Sequence, residues 1–248
     1  MNLRLIISAA LLLLPSAAFA QAVDPLTIDL TGGGQMTERL IQIIGVVTII
    51  SLAPSILMMT TCFTRIVVVL SLLRSAIGIQ QSPPNSVIVS LALFLTFFVM
   101  APTFTAVYND ALTPLVEQQI TTEEALTRAS NPVRKFMTAH TREQDLGLFI
   151  AMAQLEQPQS ADVTPLRALI PAFMLSELKR AFEIGFLLFV PFLIIDLAIS
   201  SILMSMGMMM LPPIVISLPF KLIFFVLVDG WHLVAGSLVA SYGVGGGP

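Results

Sequence analysis

Apolar residues fall along the chain in four long blocks, each closed by a proline-bearing or polar stretch. Residues 41–73 carry one charge, Arg65, and one proline, Pro54, near the middle. The block is longer than the roughly 20 residues that cross a bilayer. It predicts one long kinked helix, or two pieces meeting at Pro54. Residues 75–86, with Gly78, Pro83 and Pro84, predict a turn, and the uncharged residues 87–106, with Pro102 near their end, predict the returning arm. Residues 41–106 thus read as a first apolar helical hairpin. Residues 182–204 and 214–241 repeat the arrangement as a second hairpin, residues 181–243 in all, joined by a loop at 205–213. Its arms carry the buried charges Glu183, Asp196, Lys221 and Asp229.

Between the hairpins the pattern changes. Residues 107–180 hold most of the charges, with both signs interspersed as on a solvated surface. Thr121 with Glu124, and Thr141 with Gln144, match the capping box. Asn131 before Pro132, and Thr164 before Pro165, place a cap residue ahead of a proline at the first helical position. These signals predict a few short amphipathic helices, with a polar connection at 157–161 and no strand alternation. The fold class read from the pattern is an all-α membrane protein: two apolar helical hairpins flanking a small amphipathic helical segment.

The stretch 205–221, SMGMMMLPPIVISLPFK, is the most distinctive in the chain. Pro212 and Pro213 cannot extend a helix arriving from Met204, and Leu211 before them is biased away from helical geometry. A loop results, crowded with Met206, Met208, Met209 and Met210 around Gly207. Unbranched thioethers fill irregular space and move aside without strict partner geometry, which suits a compliant seal as well as ordinary apolar filling. Counting outward from Met209, Asp196 lies thirteen residues back and Lys221 twelve forward. At about 1.5 Å per residue both sit roughly 18 to 20 Å from the tip, so the two are predicted to be neighbours, within one hairpin or across neighbouring copies.

Composition narrows the function. With 56% hydrophobic residues, 11% charged and a mean hydropathy of +0.92, the chain is a membrane protein by content. A net charge of −3 offers no basic stripe for nucleic acid. Cys62 is the single cysteine and lies in an apolar run, which predicts inert packing. Residues 1–20, with Arg4, an apolar run and Ala18–Phe19–Ala20, read as a cleavable signal peptide, although a retained anchor fits the same pattern. Residues 21–40 follow as a flexible leader, and residues 244–248 close the chain as a glycine-rich tail.

Neither histidine, His140 nor His232, has a second histidine at ligand spacing, and no phosphate loop or nucleophile elbow is present. No metal, cofactor or catalytic centre is expected, Asp196 and Asp229 being the only formal candidates for a membrane carboxylate pair. A multi-span solute or ion transporter subunit is the rival class, since charges at membrane depth mark pathways. Four apolar runs without an inverted repeat are few for alternating access. The prolines Pro171, Pro191, Pro212, Pro213 and Pro219, expected to break helices, fit a pore shared among subunits better.

Two strings, PAFMLSELKRAFEIGF at 171–186 and LPFKLIFFVLVDGW at 218–231, together with GMMMLPP at 207–213, closely resemble the characteristic segments of the FliP family of flagellar export-gate proteins. The resemblance runs from about residue 41 to 241. It implies a core subunit of the flagellar type III export apparatus in the inner membrane: a homo-oligomeric ring joined by FliQ and FliR, assembled with FliO, beside FlhA and FlhB. Unfolded flagellar substrates would pass through it. It further implies that the methionine cluster, here Met208, Met209 and Met210 with Met206 beside them, is a gasket around a closed pore. Gly207, Pro212 and Pro213 would shape that loop. The family's hairpins are lifted partly out of the bilayer toward the periplasm, a departure from four simple spans. Glu177, Lys179, Asp196 and Lys221 are the candidate charges for setting subunit register; solvation explains Glu177 and Lys179 equally well.

Overall fold

The computed structural model describes residues 35–79, 81–155, 164–208 and 210–243, and every regular element among them is helical. The signal peptide, leader residues 21–34, the 157–161 connection, Met209 and the tail lie outside the described residues. In chain order the elements are α1 (Gln35–Thr60), α2 (Phe63–Ile77), α3 (Asn85–Val107), a π-helical turn (Tyr108–Leu112), α4 (Thr113–Val116), α5 (Thr122–His140), α6 (Glu143–Met152), α7 (Leu166–Ser205), α8 (Pro213–Leu227) and α9 (Gly230–Ala240).

The chain divides into two compact units, residues 1–52 and 53–248. The described part of the first is the leading portion of α1, where Thr48 and Ser51 hydroxyls donate back to the carbonyls of Ile44 and Val47.

In the second unit α2 is the central element. Cys62, Ile66, Val69, Leu70 and Leu73 are buried in one core with Ile88, Ala92, Val99 and Met100 of α3. Ala181 and Phe192 of α7, Phe225 of α8, and Val234 and Leu238 of α9 complete it. Gly185 of α7 is required for the close approach of α2, because a Cβ there would overlap the Leu72 side chain. A smaller core joins Met137 of α5 to Leu169 and Phe173 of α7, with Leu146 of α6 against it.

Several local expectations are corrected. Pro54 lies inside α1, and the first long block has its break in helix at Thr61–Cys62. The last carbonyls of a helix lack backbone partners. Here the hydroxyls of Thr61 and Thr64, both beyond the end of α1, donate to Leu57 O and Met58 O. Thr121 caps α5 by accepting the Glu124 amide at 3.3 Å. Asn131–Pro132 starts no helix, since Pro132 sits within α5. Thr141 does not open α6; its hydroxyl closes α5 by donating to Met137 O at 2.7 Å, and Arg142 is the N-cap residue of α6. Pro165 itself is the N-cap residue of α7, so Thr164 stands one position further out.

Of the five prolines expected to break helices, Pro171 and Pro191 lie within α7 and Pro219 within α8, and Pro212–Pro213 stands at a break. The 214–241 run is instead split at Val228–Asp229, where α8 and α9 meet at 61°. Asp229 has φ +49°, in the left-handed region. Glu183 and Asp229, expected as buried charges, are exposed.

Among the described residues two helical stretches, Asn85–Val116 and Leu166–Ser205, are long and apolar enough to cross a membrane, or up to four when each bent helix pair counts as one span. At 40 residues α7 is roughly 60 Å long, about twice the hydrocarbon thickness of a bilayer. The change of composition at 180/181 falls inside it, so one continuous helix carries both a polar and an apolar section.

Candidate functional site

The methionine stretch sits at the tip between α7 and α8. α7 ends in a Schellman closure: Met208 N–H donates to Leu203 O at 3.0 Å and Gly207 N–H to Met204 O at 3.1 Å. That closure requires a left-handed residue after the C-cap, and Gly207, at φ +73°, supplies it without a Cβ penalty. Pro212 is the N-cap residue of α8 and Pro213 its first helical residue, a place where the missing N–H costs nothing. The tip is thus held at both ends by backbone chemistry. Met206, Met208 and Met210 project from it, with Met210 98% exposed. Met204, Leu211, Ile214 and Val215 extend the same apolar surface.

Below the tip, Asp196 of α7 and Lys221 of α8 meet at 2.6 Å. This is the proximity that depth counting predicted, realised within one chain. Ser217, one helical turn before Lys221, donates to the other carboxylate oxygen at 2.5 Å, and Lys221 Nζ reaches Ala76 O of α2 at 3.5 Å. The ammonium therefore ties α8 both to α7 and to the last turn of α2, where exposed carbonyls favour a cation. A cavity of about 290 Å³, lined by Gly78, Phe192, Asp196, Ile214 and Lys221 among others, opens beside the pair. Asp196 keeps 28% side-chain exposure against 6% for Lys221.

A second pair lies deeper. Arg65 of α2 is 1% exposed and Glu177 of α7 is fully buried, and the two are joined by an ion pair. The second Glu177 oxygen accepts the Tyr242 hydroxyl, Arg65 donates to Ser241 Oγ at 3.2 Å, and its guanidinium carbon lies 4.0 Å from the Tyr242 ring centre. Solvation does not account for Glu177, whose carboxylate is held by Arg65 of α2 and by Tyr242 just beyond α9. Lys179 is different, half exposed and 3.7 Å from exposed Glu183.

In the polar segment Asp145 accepts both Arg142 donors at 2.8 Å and the Ser176 hydroxyl at 2.5 Å, docking α6 on α7. His140 of α5 donates its Nδ1–H to Phe136 O at 2.8 Å, and burial pulls its pKa below the usual imidazole value.

Sequence reasoning did not find Ser217, Ser241 or Tyr242. Ser217 had a usable signal, an i,i+4 spacing from Lys221 that puts both on one helix face. Among the described residues no three His, Cys, Asp or Glu side chains gather to hold a metal ion.

The arrangement is a scaffold for an apolar tip: helices pinned by buried ion pairs, ending in flexible sulfur-bearing side chains without a polar partner of their own. The sequence matches the FliP family over residues 46–238. It is 60% identical over 235 residues to the flagellar biosynthetic protein FliP of Caulobacter vibrioides, covering 95% of this chain and 88% of the relative. The Bacillus subtilis protein of the same name is 54% identical over 202 residues, covering 82% and 91%. That of Pectobacterium carotovorum is 49% identical over 236 residues, covering 95% and 92%. The chain belongs to the FliP family.

Proposed function

We propose that this protein is the core pore-forming subunit of the flagellar type III export gate, passing unfolded flagellar proteins across the inner membrane. Copies of the chain form a ring, completed by FliQ and FliR, built with the help of FliO and set beside FlhA and FlhB. Residues 107–180 face the periplasm. The two apolar hairpins, residues 41–106 and 181–243, form the wall.

The observation that carries this reading is the tip. Met206, Met208 and Met210 are exposed on a loop whose two ends are fixed. An apolar surface of this kind has little reason to face water, since burying one such side chain is worth about 1.5–3 kcal/mol. If the loops of several copies converge on one axis, they cover one another and exclude water and ions. A seal that yields to many different polypeptides needs side chains that repack, and thioethers do so at little cost. In this arrangement Lys179, exposed beside Glu183, is available to a neighbouring copy, whereas Asp196, Lys221 and Glu177 fix helix register within the chain. The transporter reading gains nothing from relatives that are named flagellar biosynthetic proteins.

Replacing Met208, Met209 and Met210 together by alanine tests the proposal. The expected result is a normal amount of assembled complex with an ion leak across the inner membrane at rest. Cells that stay tight, or that lack the gene and still build filaments and swim, would overturn it.

A further inference from the structure

The last described residues of the chain make contacts out of proportion to their place. Tyr242 is 7% exposed. Its hydroxyl donates to Glu177 of α7, and its ring covers the Arg65 guanidinium of α2 at 4.0 Å. On α5 it lies 6.0 Å from the Phe136 ring, at 22°, and 5.0 Å from the His140 ring. Ser241 accepts from Arg65. Two residues therefore touch three separate helices.

The helix they terminate is otherwise lightly held. Val234 and Leu238 are buried in the core, but Trp231 and Leu233 are exposed. At its other end α9 leaves α8 through Asp229, at φ +49°, and Gly230, where a Cβ would overlap the Phe225 ring. α9 is thus bounded by a sharp bend at its start and by the buried ion pair at its finish. The pair depends on the finish as well. Glu177 is wholly buried and its second oxygen has Tyr242 as its partner, and a buried carboxylate deprived of a donor is strongly destabilised. Arg65 Nε already lacks an acceptor, so the guanidinium has none to spare.

We propose that Ser241 and Tyr242 form a clasp that fastens the end of α9 to the Arg65–Glu177 pair. With the clasp closed, α9 keeps its place on the pair when the methionine loop rearranges, the bend at Asp229–Gly230 setting it apart from α8. The clasp stands on contacts within the chain and goes beyond the export reading; only its consequence for the loop rests on that reading.

Amide hydrogen exchange on the full-length protein in detergent tests it without reference to export. In Tyr242→Ala, exchange through 230–240 should accelerate roughly 10-fold or more, exchange through 63–77 beside Arg65 by less, and residues 214–227 should keep their wild-type rates. Tyr242→Phe, which keeps the ring over Arg65 but loses the hydroxyl, should show a smaller acceleration. In a Glu177→Gln background, Tyr242→Phe should add less than it does in the wild type, because the two changes remove one interaction. Unchanged exchange in α9, a uniform acceleration of every helix, or strict additivity with Glu177→Gln would each overturn the clasp. Where Tyr242→Ala does not accumulate, Tyr242→Phe and Ser241→Ala carry the same comparison. A failed leak test on the methionines with a positive exchange result would sink the export reading and leave the clasp standing.

Discussion

At the scale of single residues, the charges inside this apolar chain divide into those that hold helices together and those that do not. Lys221 and Asp196 belong to the first kind: the ammonium is almost fully buried and its carboxylate has a second donor in Ser217. Removing one member of a buried pair leaves the other without compensation, at a cost of about 3–5 kcal/mol, whereas replacing both by apolar residues is often close to neutral. Asp196 keeps some exposure beside the cavity, which screens the pair and favours the lower end of that range. Lys221→Met alone should therefore lower the denaturation midpoint of the detergent-solubilised protein more than Lys221→Met combined with Asp196→Leu. Additive losses in the double variant would show that the two side chains act separately. This pair was legible in the sequence because both residues lie at a countable distance from a proline-fixed turn. The Arg65–Glu177–Tyr242 cluster was not, because its members are 112 and 65 residues apart with no shared period or motif to join them.

At the scale of elements, what was readable depended on whether the deciding force was local. The N-cap of α5 was legible from Thr121 and Glu124, since a hydroxyl three residues before an amide needs nothing from the rest of the fold. Thr141 misled for the same reason: the residue that could open α6 closes α5 instead, and only the preceding helix decides between the two. Prolines 132, 171, 191 and 219 were expected to mark boundaries and lie inside helices. An interior proline costs about 3 kcal/mol, and packing of each helix against its neighbours has to offset it. The loop was legible from Pro212–Pro213, yet the reason for Gly207 was not, because a Schellman closure shows itself only in the backbone. Its conformational demand gives a ranking. Gly207→Ala should cost roughly 1–2 kcal/mol, the penalty of the left-handed region for an ordinary residue, and Gly207→Asn less. Limited proteolysis across 203–213 checks it: cleavage should be fastest for Ala, intermediate for Asn and slowest for Gly. Equal rates would mean that the tip is not held by this closure.

At the scale of the whole molecule, the exposed apolar tip and the exposed flank of α7 demand different partners, and the difference can be measured. Leu193, Leu197 and Phe186 lie on α7 with more than half of their surface open, along a helix apolar enough to cross a bilayer, so lipid is a sufficient cover for them. Met210 stands at the end of a loop, and in the proposed ring it meets its own counterparts at the axis. The chain offers a clean background for testing this, since Cys62 is its single cysteine and is fully buried. A disulfide forms only where two Cα atoms come within about 4.4–6.8 Å. Met210→Cys should therefore yield copies linked to one another under a mild oxidant in intact cells, while Leu197→Cys, of comparable chemistry but set on the exposed flank of α7, should not. Reduction should restore the single chain on a gel and, if the linked loops block the conduit, restore export of filament protein with it. Linkage through residue 197 and none through residue 210 would place the methionine tip away from any shared axis, and the sulfur-lined seal would have to be abandoned even though the family membership stands.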